Sequence, residues 1–313
     1  MRIDVRTDTP GHLSTGVVGA VDIGGTKIAA AAVDADGAVT RLRTVGTPSG
    51  AGPEAVLQVV RDLVGDLRDV RALGVGCAGV VDPATGDAIS ATDTIADWAG
   101  TPLRSELSGR LGLSVTVVND VHAHAVGESW HGAGASAGSM LLVTAGTGIG
   151  GAWTVAGHVV VGAGGAAGHV GHVPVAAAAG RRCGCGAEGH VEAVASGPAM
   201  TAEYARRSGT RVSSLSEVVT AAEAGDEAAI DVLTGGGAAL GSAVGGIVNV
   251  LDPDLVVIGG GVAAGGAHWW SALRAAATAE LLPATRGVRI VPSTLGGRAA
   301  LIGAARLAWR VAA

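Results

Sequence analysis

Residues 168–193 read GHVGHVPVAAAAGRRCGCGAEGHVEA and hold three histidines, two cysteines and two glutamates. Only 15% of the chain is charged and it has 3 cysteines in all, so this crowding is local. Imidazoles, thiols and carboxylates at this density can hold a metal ion, bind a polar substrate, or do both. Left unused, they would be surface histidines and a reduced cysteine pair in a Gly loop.

A second set of chemical groups is spread over three glycine-rich turns. DIGGTK carries Asp22, Gly24, Gly25, Thr26 and Lys27; TAGTGIGG carries Thr144, Gly146, Thr147, Gly148, Gly150 and Gly151; IGGG ends on Gly259, Gly260 and Gly261. Backbone N–H groups bared by glycine cradle phosphate oxygens, and Asp22 would suit a magnesium-bound water. Neither of the first two turns has Walker spacing. Gly146 to Gly151 does read Gly-x-Gly-x-x-Gly, but it leads into a strand rather than a helix, the wrong context for a dinucleotide site. Hairpin glycines without a ligand are the plain alternative; three such turns make it weaker.

VVND (117–120) ends a buried apolar run on Asn119 and Asp120. The pair can cap the following helix. It can also serve phosphoryl transfer, with Asp120 as general base at an attacking hydroxyl and Asn119 orienting the substrate.

Strand–helix alternation must position these groups. VVGAVDI is a strand running into the first Gly turn, with ADG as a hairpin signal after it. Residues 53–67 have helical apolar spacing. TPLRSELSGRLG is a helix with Thr101 as N-cap and Pro102 at its first position. SMLLVTAGTGIGGAWTVAGHVVVG repeats the plan of 17–46 about 125 residues later. Helices follow at 193–207, 214–223, 226–234 and 236–250, then strand LVVIG, helix SALRAAATAELL, strand GVRIVPST and a last helix. The expectation is an α/β chain with two halves around a cleft and functional groups at strand ends.

Composition bounds the function. The 313 residues suit two domains and a large core. Phe is absent and aromatics are 2%, so Ala, Val, Leu and Ile must fill that core. A net charge of −6 argues against a nucleic-acid binder. Three cysteines give no disulfide framework, and MRIDVRTDTPGHLSTG has no apolar stretch, which points to the cytoplasm. Residues 235–251, GGGAALGSAVGGIVNVL, read as a core helix rather than a membrane span.

VDIGGTK, GVGCAGVVD (74–82), VVND, TAGTGIGG, GHVPV, CGCGAEGHVEA and NVLDPDLVVIGGGV (249–262) together resemble the ROK family of sugar kinases and sugar-responsive repressors. The resemblance runs in order from about residue 17 to 310. It implies an actin-like ATPase fold, ribonuclease H-like and duplicated. The expected parts are a lead at 1–15, a smaller domain at 16–120 plus 299–313, and a larger one at 121–298. It implies ATP and Mg²⁺ at the Gly turns and a sugar near Gly79, Asn119, Asp120, His169, His172 and Glu192. Asp120 would take the proton of a primary hydroxyl, and the enzyme would be a homodimer. Family repressors carry a winged helix ahead of the first Gly turn; 21 residues precede Asp22 here, so the kinase branch is implied.

The family's zinc motif implies His172, Cys183, Cys185 and His190 as ligands of a structural zinc ion, with His190 where a third cysteine is usual. A Cys₂His₂ set keeps the donor count. His169 stands where the family has glutamate, and Thr94 where many relatives have asparagine. A carboxylate accepts from two hydroxyls, whereas a neutral imidazole accepts one hydrogen bond and donates one. This exchange favours an amino sugar, another modified sugar or a cyclitol over plain glucose. The alternatives are glucokinase proper or a sugar-binding regulator without turnover.

Overall fold

The computed structural model describes residues 16–90 and 95–312. The lead at 1–15 and the Thr94 departure lie outside the described residues. In chain order the elements are β1 (Val17–Ile23), β2 (Lys27–Val33), β3 (Val39–Gly46), α1 (Gly52–Gly65), β4 (Val70–Cys77), β5 (Val80–Val81), β6 (Ala88–Ser90), α2 (Leu103–Leu111), β7 (Ser114–Asn119) and α3 (Asp120–His131). Then come β8 (Ser139–Ala145), β9 (Ile149–Val155), β10 (His158–Val159), α4 (Glu192–Ala195), α5 (Gly197–Ser208), α6 (Leu215–Glu223), α7 (Glu227–Leu251), β11 (Leu255–Gly259), α8 (Gly266–Glu280), β12 (Arg289–Pro292) and α9 (Ala299–Trp309).

The two five-stranded sheets have one plan. Their orders are β3-β2-β1-β4-β7 and β10-β9-β8-β11-β12. In the first, β1 and β2 form an antiparallel hairpin while β1, β4 and β7 run parallel. In the second, β8, β11 and β12 run parallel. The repeat seen in the sequence is therefore a repeat of topology.

The chain groups into two units. The first takes residues through Gly138, Trp153–Ala167 and Gly297 onward; the second takes Ser139–Ala152 and Gly168–Gly296. Helix α3 thus falls in the first unit, beyond the expected boundary at 120. The reason is its seam with α9. A Cβ on Gly303 would lie 1.7 Å from the Ala123 carbonyl oxygen, and one on Gly127 would lie 2.1 Å from that of Ala299. The helices touch backbone to backbone at these two glycines, which is how a core without Phe brings them together.

The same device explains α7. Two helices, 226–234 and 236–250, are expected from its glycines, but the structure has one helix of 25 residues. Gly237, Gly241 and Gly245 face α8, where an added Cβ would lie 2.4, 2.2 and 2.5 Å from the carbonyl oxygens of Trp269, Leu273 and Ala277. Tertiary contact outweighs the helix-breaking tendency of glycine. By length and composition α7 could cross a membrane, yet it lies in the core of the second unit, with Leu240, Val244 and Val248 fully buried.

Two other expectations are corrected. Thr101 does not cap α2; Pro102 takes that place and Thr101 Oγ1 donates to the Trp98 carbonyl at 2.6 Å. The helix expected at 193–207 breaks at Ser196, whose side chain caps α5 ahead of Pro198.

Candidate functional site

In the first unit, register places the chemistry. Ile23 pairs with Cys77 and Cys77 with Asn119, so the carboxyl ends of three parallel strands lie side by side. Ligand groups collect at such ends. Asn119 is 7% exposed and ties the end of β7 together. Its Nδ2 donates to the Gly79 carbonyl at 2.8 Å and to Asp120 Oδ1 at 2.9 Å. Its Oδ1 accepts from the Val121 and His122 N–H groups at 3.0 and 3.2 Å, which makes it the cap of α3. The capping and site readings of Asn119 are therefore compatible. Asp120 opens the helix, where unpaired N–H groups favour a carboxylate.

Asp22 lies on β1 opposite Gly76 of β4. Burial, and then the charge of Asp120, raise its pKa to about 7 against the opposing pull of Lys27. Cys77 sits beneath, fully buried, and its thiol is pushed well above the usual range, mostly by burial. The following turn closes with Gly24 N–H donating to the Lys27 carbonyl at 3.0 Å. Thr47 occupies two of its carbonyls, Gly24 through Oγ1 at 2.6 Å and Thr26 through N–H at 3.0 Å.

In the second unit, Thr144 of β8 pairs with Gly259 of β11, so two Gly turns stand level. Both reach one pocket of about 720 Å³, lined by Gly146, Thr147, Pro198, Thr201, Leu215 and Gly261 among others. Gly146 N–H donates to the Gly148 carbonyl at 2.8 Å, and its own carbonyl accepts from Gly197 N–H at 2.8 Å. Gly260 has φ +84°, and a Cβ there would lie 2.2 Å from the Ala145 carbonyl oxygen, so only glycine fits.

His172, Cys183, Cys185 and His190 converge, their ligand atoms all within 4.8 Å of one another. Cys183 Sγ lies 3.7 Å from His172 Nδ1, and Cys185 Sγ lies 3.3 Å from His190 Nδ1. Donors around a tetrahedral zinc ion stand roughly 3.3–3.8 Å apart, given its bond lengths of about 2.0–2.3 Å. The set fits such an ion. Backbone bonds brace the loop, with Cys183 N–H to the Ala187 carbonyl at 2.8 Å and Val191 N–H to that of Val173 at 3.0 Å.

Glu192 joins this cluster to the Gly turn of β8. Its Oε2 accepts from Ile149 N–H at 2.8 Å, and Cys183 Sγ lies 3.6 Å from its Oε1. A Cβ on Gly148 would lie 2.7 Å from Oε2. His169 stacks on His172 with ring centroids 6.2 Å apart and lines a separate apolar groove with Val170, Val173 and Ile247. Sequence reasoning missed Trp98, which is buried and donates to the Ala78 carbonyl beside Gly79. The available signal was a tryptophan in a chain so poor in aromatics.

Known proteins are similar to this chain in sequence and in fold. A glucokinase of Thermotoga maritima is 30% identical over 304 residues, covering 92% of this chain and 95% of that protein. An N-acetyl-D-glucosamine kinase of Citrobacter koseri is 33% identical over 254 residues, covering 77% and 82%. The crystal structure of a ROK family glucokinase from Streptomyces griseus, in complex with glucose and AMPPNP, superposes with a TM-score of 0.80. That pair is 31% identical, over 94% of this chain and 100% of that one. The ROK family model matches residues 18–311, nearly the whole described chain. The twofold sheet plan, the Gly turns at its strand ends and these relatives agree, and the chain belongs to the ROK family.

Proposed function

We propose that the chain is an ATP-dependent kinase that phosphorylates the primary hydroxyl of a hexose or hexose-like substrate. The observation that carries this reading is Asp120, the first residue of α3, held by Asn119 at the end of β7 and near the buried Asp22. Asp120 accepts the hydroxyl proton, and Asn119 and Gly79 orient the acceptor. In the second unit, the Gly turns of β8 and β11 receive ATP phosphates through backbone N–H groups and the pocket beside Thr147 receives the nucleoside; in the first, the Gly turn of β1 offers N–H groups of the same kind. Mg²⁺, held through Asp22, would neutralise charge on the phosphates.

His172, Cys183, Cys185 and His190 hold a structural zinc ion in this reading, and Glu192 carries its order to the Gly turn. His169 in place of glutamate favours an amino sugar, modified sugar or cyclitol; the N-acetylglucosamine kinase among the relatives supports that class. The Thermotoga glucokinase supports plain glucose as the second reading. We take the working form to be a cytoplasmic homodimer. A coupled ADP-release assay over hexoses, amino sugars and cyclitols decides. Turnover with at least one of them is expected, and no turnover across the panel overturns the kinase reading.

A further inference from the structure

Trp98 is 1% exposed, and its indole N–H donates to the Ala78 carbonyl at 3.1 Å. The peptide unit between Ala78 and Gly79 is planar and trans, so the Gly79 N–H points opposite to that carbonyl. Fixing one end of the unit fixes the other. The neighbouring groups are fixed as well. Ala78 N–H donates to the Ile23 carbonyl at 2.9 Å, and the Gly79 carbonyl accepts from Asn119 Nδ2 at 2.8 Å. Gly79 has φ +95°, a conformation that glycine reaches without strain.

The outcome is one oriented donor. Among the described residues nothing accepts from the Gly79 N–H, and Gly79 is half-buried rather than open to bulk water. It stands one hydrogen bond from Asn119, which bonds Asp120 in turn. An N–H held this way suits an oxygen acceptor of a bound polyol. We infer that Trp98 is a positioning residue: by holding the Ala78 carbonyl it aims the Gly79 N–H at a hydroxyl oxygen of the sugar whose primary hydroxyl Asp120 deprotonates. This inference rests on the kinase reading above.

Trp98→Phe keeps an aromatic ring and deletes the donor. The sugar KM should rise about tenfold, the worth of one ordinary hydrogen bond, while the ATP KM and kcat stay within about twofold. A merely structural role would move both KM values together with Tm. A folded Trp98→Phe enzyme with an unchanged sugar KM, or with both KM values raised alike, overturns the inference. If the variant does not fold, hydrogen–deuterium exchange of the 77–81 peptide in the unsubstituted protein decides. Exchange that slows on adding the preferred sugar without nucleotide supports the assignment, and unchanged exchange overturns it. The two readings fail separately. An unsubstituted enzyme that turns over no sugar removes the kinase reading, and this inference with it. One that turns over sugar, and is matched by Trp98→Phe, removes only the role of Trp98.

Discussion

Asp22 and Asp120 flank the bare Cα of Gly76. A Cβ there would lie 3.4 Å from the Cα of Asp120 and 3.9 Å from Oδ1 of Asp22. Burial first, and then the repulsion between two acids so placed, raise the pKa of Asp22 to about 7. Unfolded, it would titrate near 3.8. Between those values the folded protein binds more protons than the unfolded one, so this residue lowers stability as pH rises from about 4 to about 7 and then levels off. Thermal melts of the nucleotide-free protein and Asp22→Asn across this range should diverge, with the variant gaining as pH rises. A Tm difference that does not change with pH would refute the assignment.

Replacing Asp120 by Asn tests the base. Asn119 Nδ2 can still donate to an amide oxygen at that position, so the end of β7 should hold. The expected result is a fall in kcat of about 10²–10⁴ with ATP binding retained. Near-normal kcat would remove Asp120 from the role.

His169→Glu restores two acceptors in place of one acceptor and one donor. The ratio of kcat/KM for glucose to that for the preferred modified sugar should rise about tenfold, the scale of one hydrogen bond. An unchanged ratio across the sugar panel would mean that His169 does not read the substrate.

Elemental analysis should find about one zinc ion per chain, as a closed four-ligand site demands. Cys183→Ser should lose the ion and lower Tm, because the loop would then be braced by its backbone bonds alone. Metal-free protein with full activity and unchanged Tm would sink the zinc reading.

Gly303→Ala tests the packing account. The new Cβ would lie 1.7 Å from the Ala123 carbonyl oxygen, so α3 and α9 must separate, at a cost of about 3 kcal/mol. Gly235→Ala is the control: nothing lies within 4 Å of its Cβ, and the helix should gain about 0.8 kcal/mol. Denaturant melts giving both variants the same stability would contradict the account.

What could be read in advance was what depends on local pattern. The Gly turns, the VVND strand end and the cluster of His172, Cys183, Cys185 and His190 are short motifs whose neighbours in sequence are also their neighbours in space. The hairpin of β2 and β3, marked by ADG, was legible for the same reason. What escaped depends on contacts made from far along the chain. The continuity of α7 through Gly235–Gly237 rests on α8, and the membership of α3 in the first unit rests on α9. Thr101 has the residue type of a cap, but a bond to Trp98 claims its hydroxyl. The Trp98–Ala78 bond spans 20 residues and leaves no mark in local spacing.

The backbone-to-backbone seams of α3 with α9 and α7 with α8 also have an entropic side. A buried Leu or Met surrenders rotamer freedom on folding, whereas Ala and Gly have none to surrender. Glycine instead gives up more backbone freedom than any other residue. A chain with 53 glycines and no Phe therefore moves the cost of order from side chains to main chain. Where these seams meet through glycine there is no side chain to repack, so those contacts either fit in register or do not form.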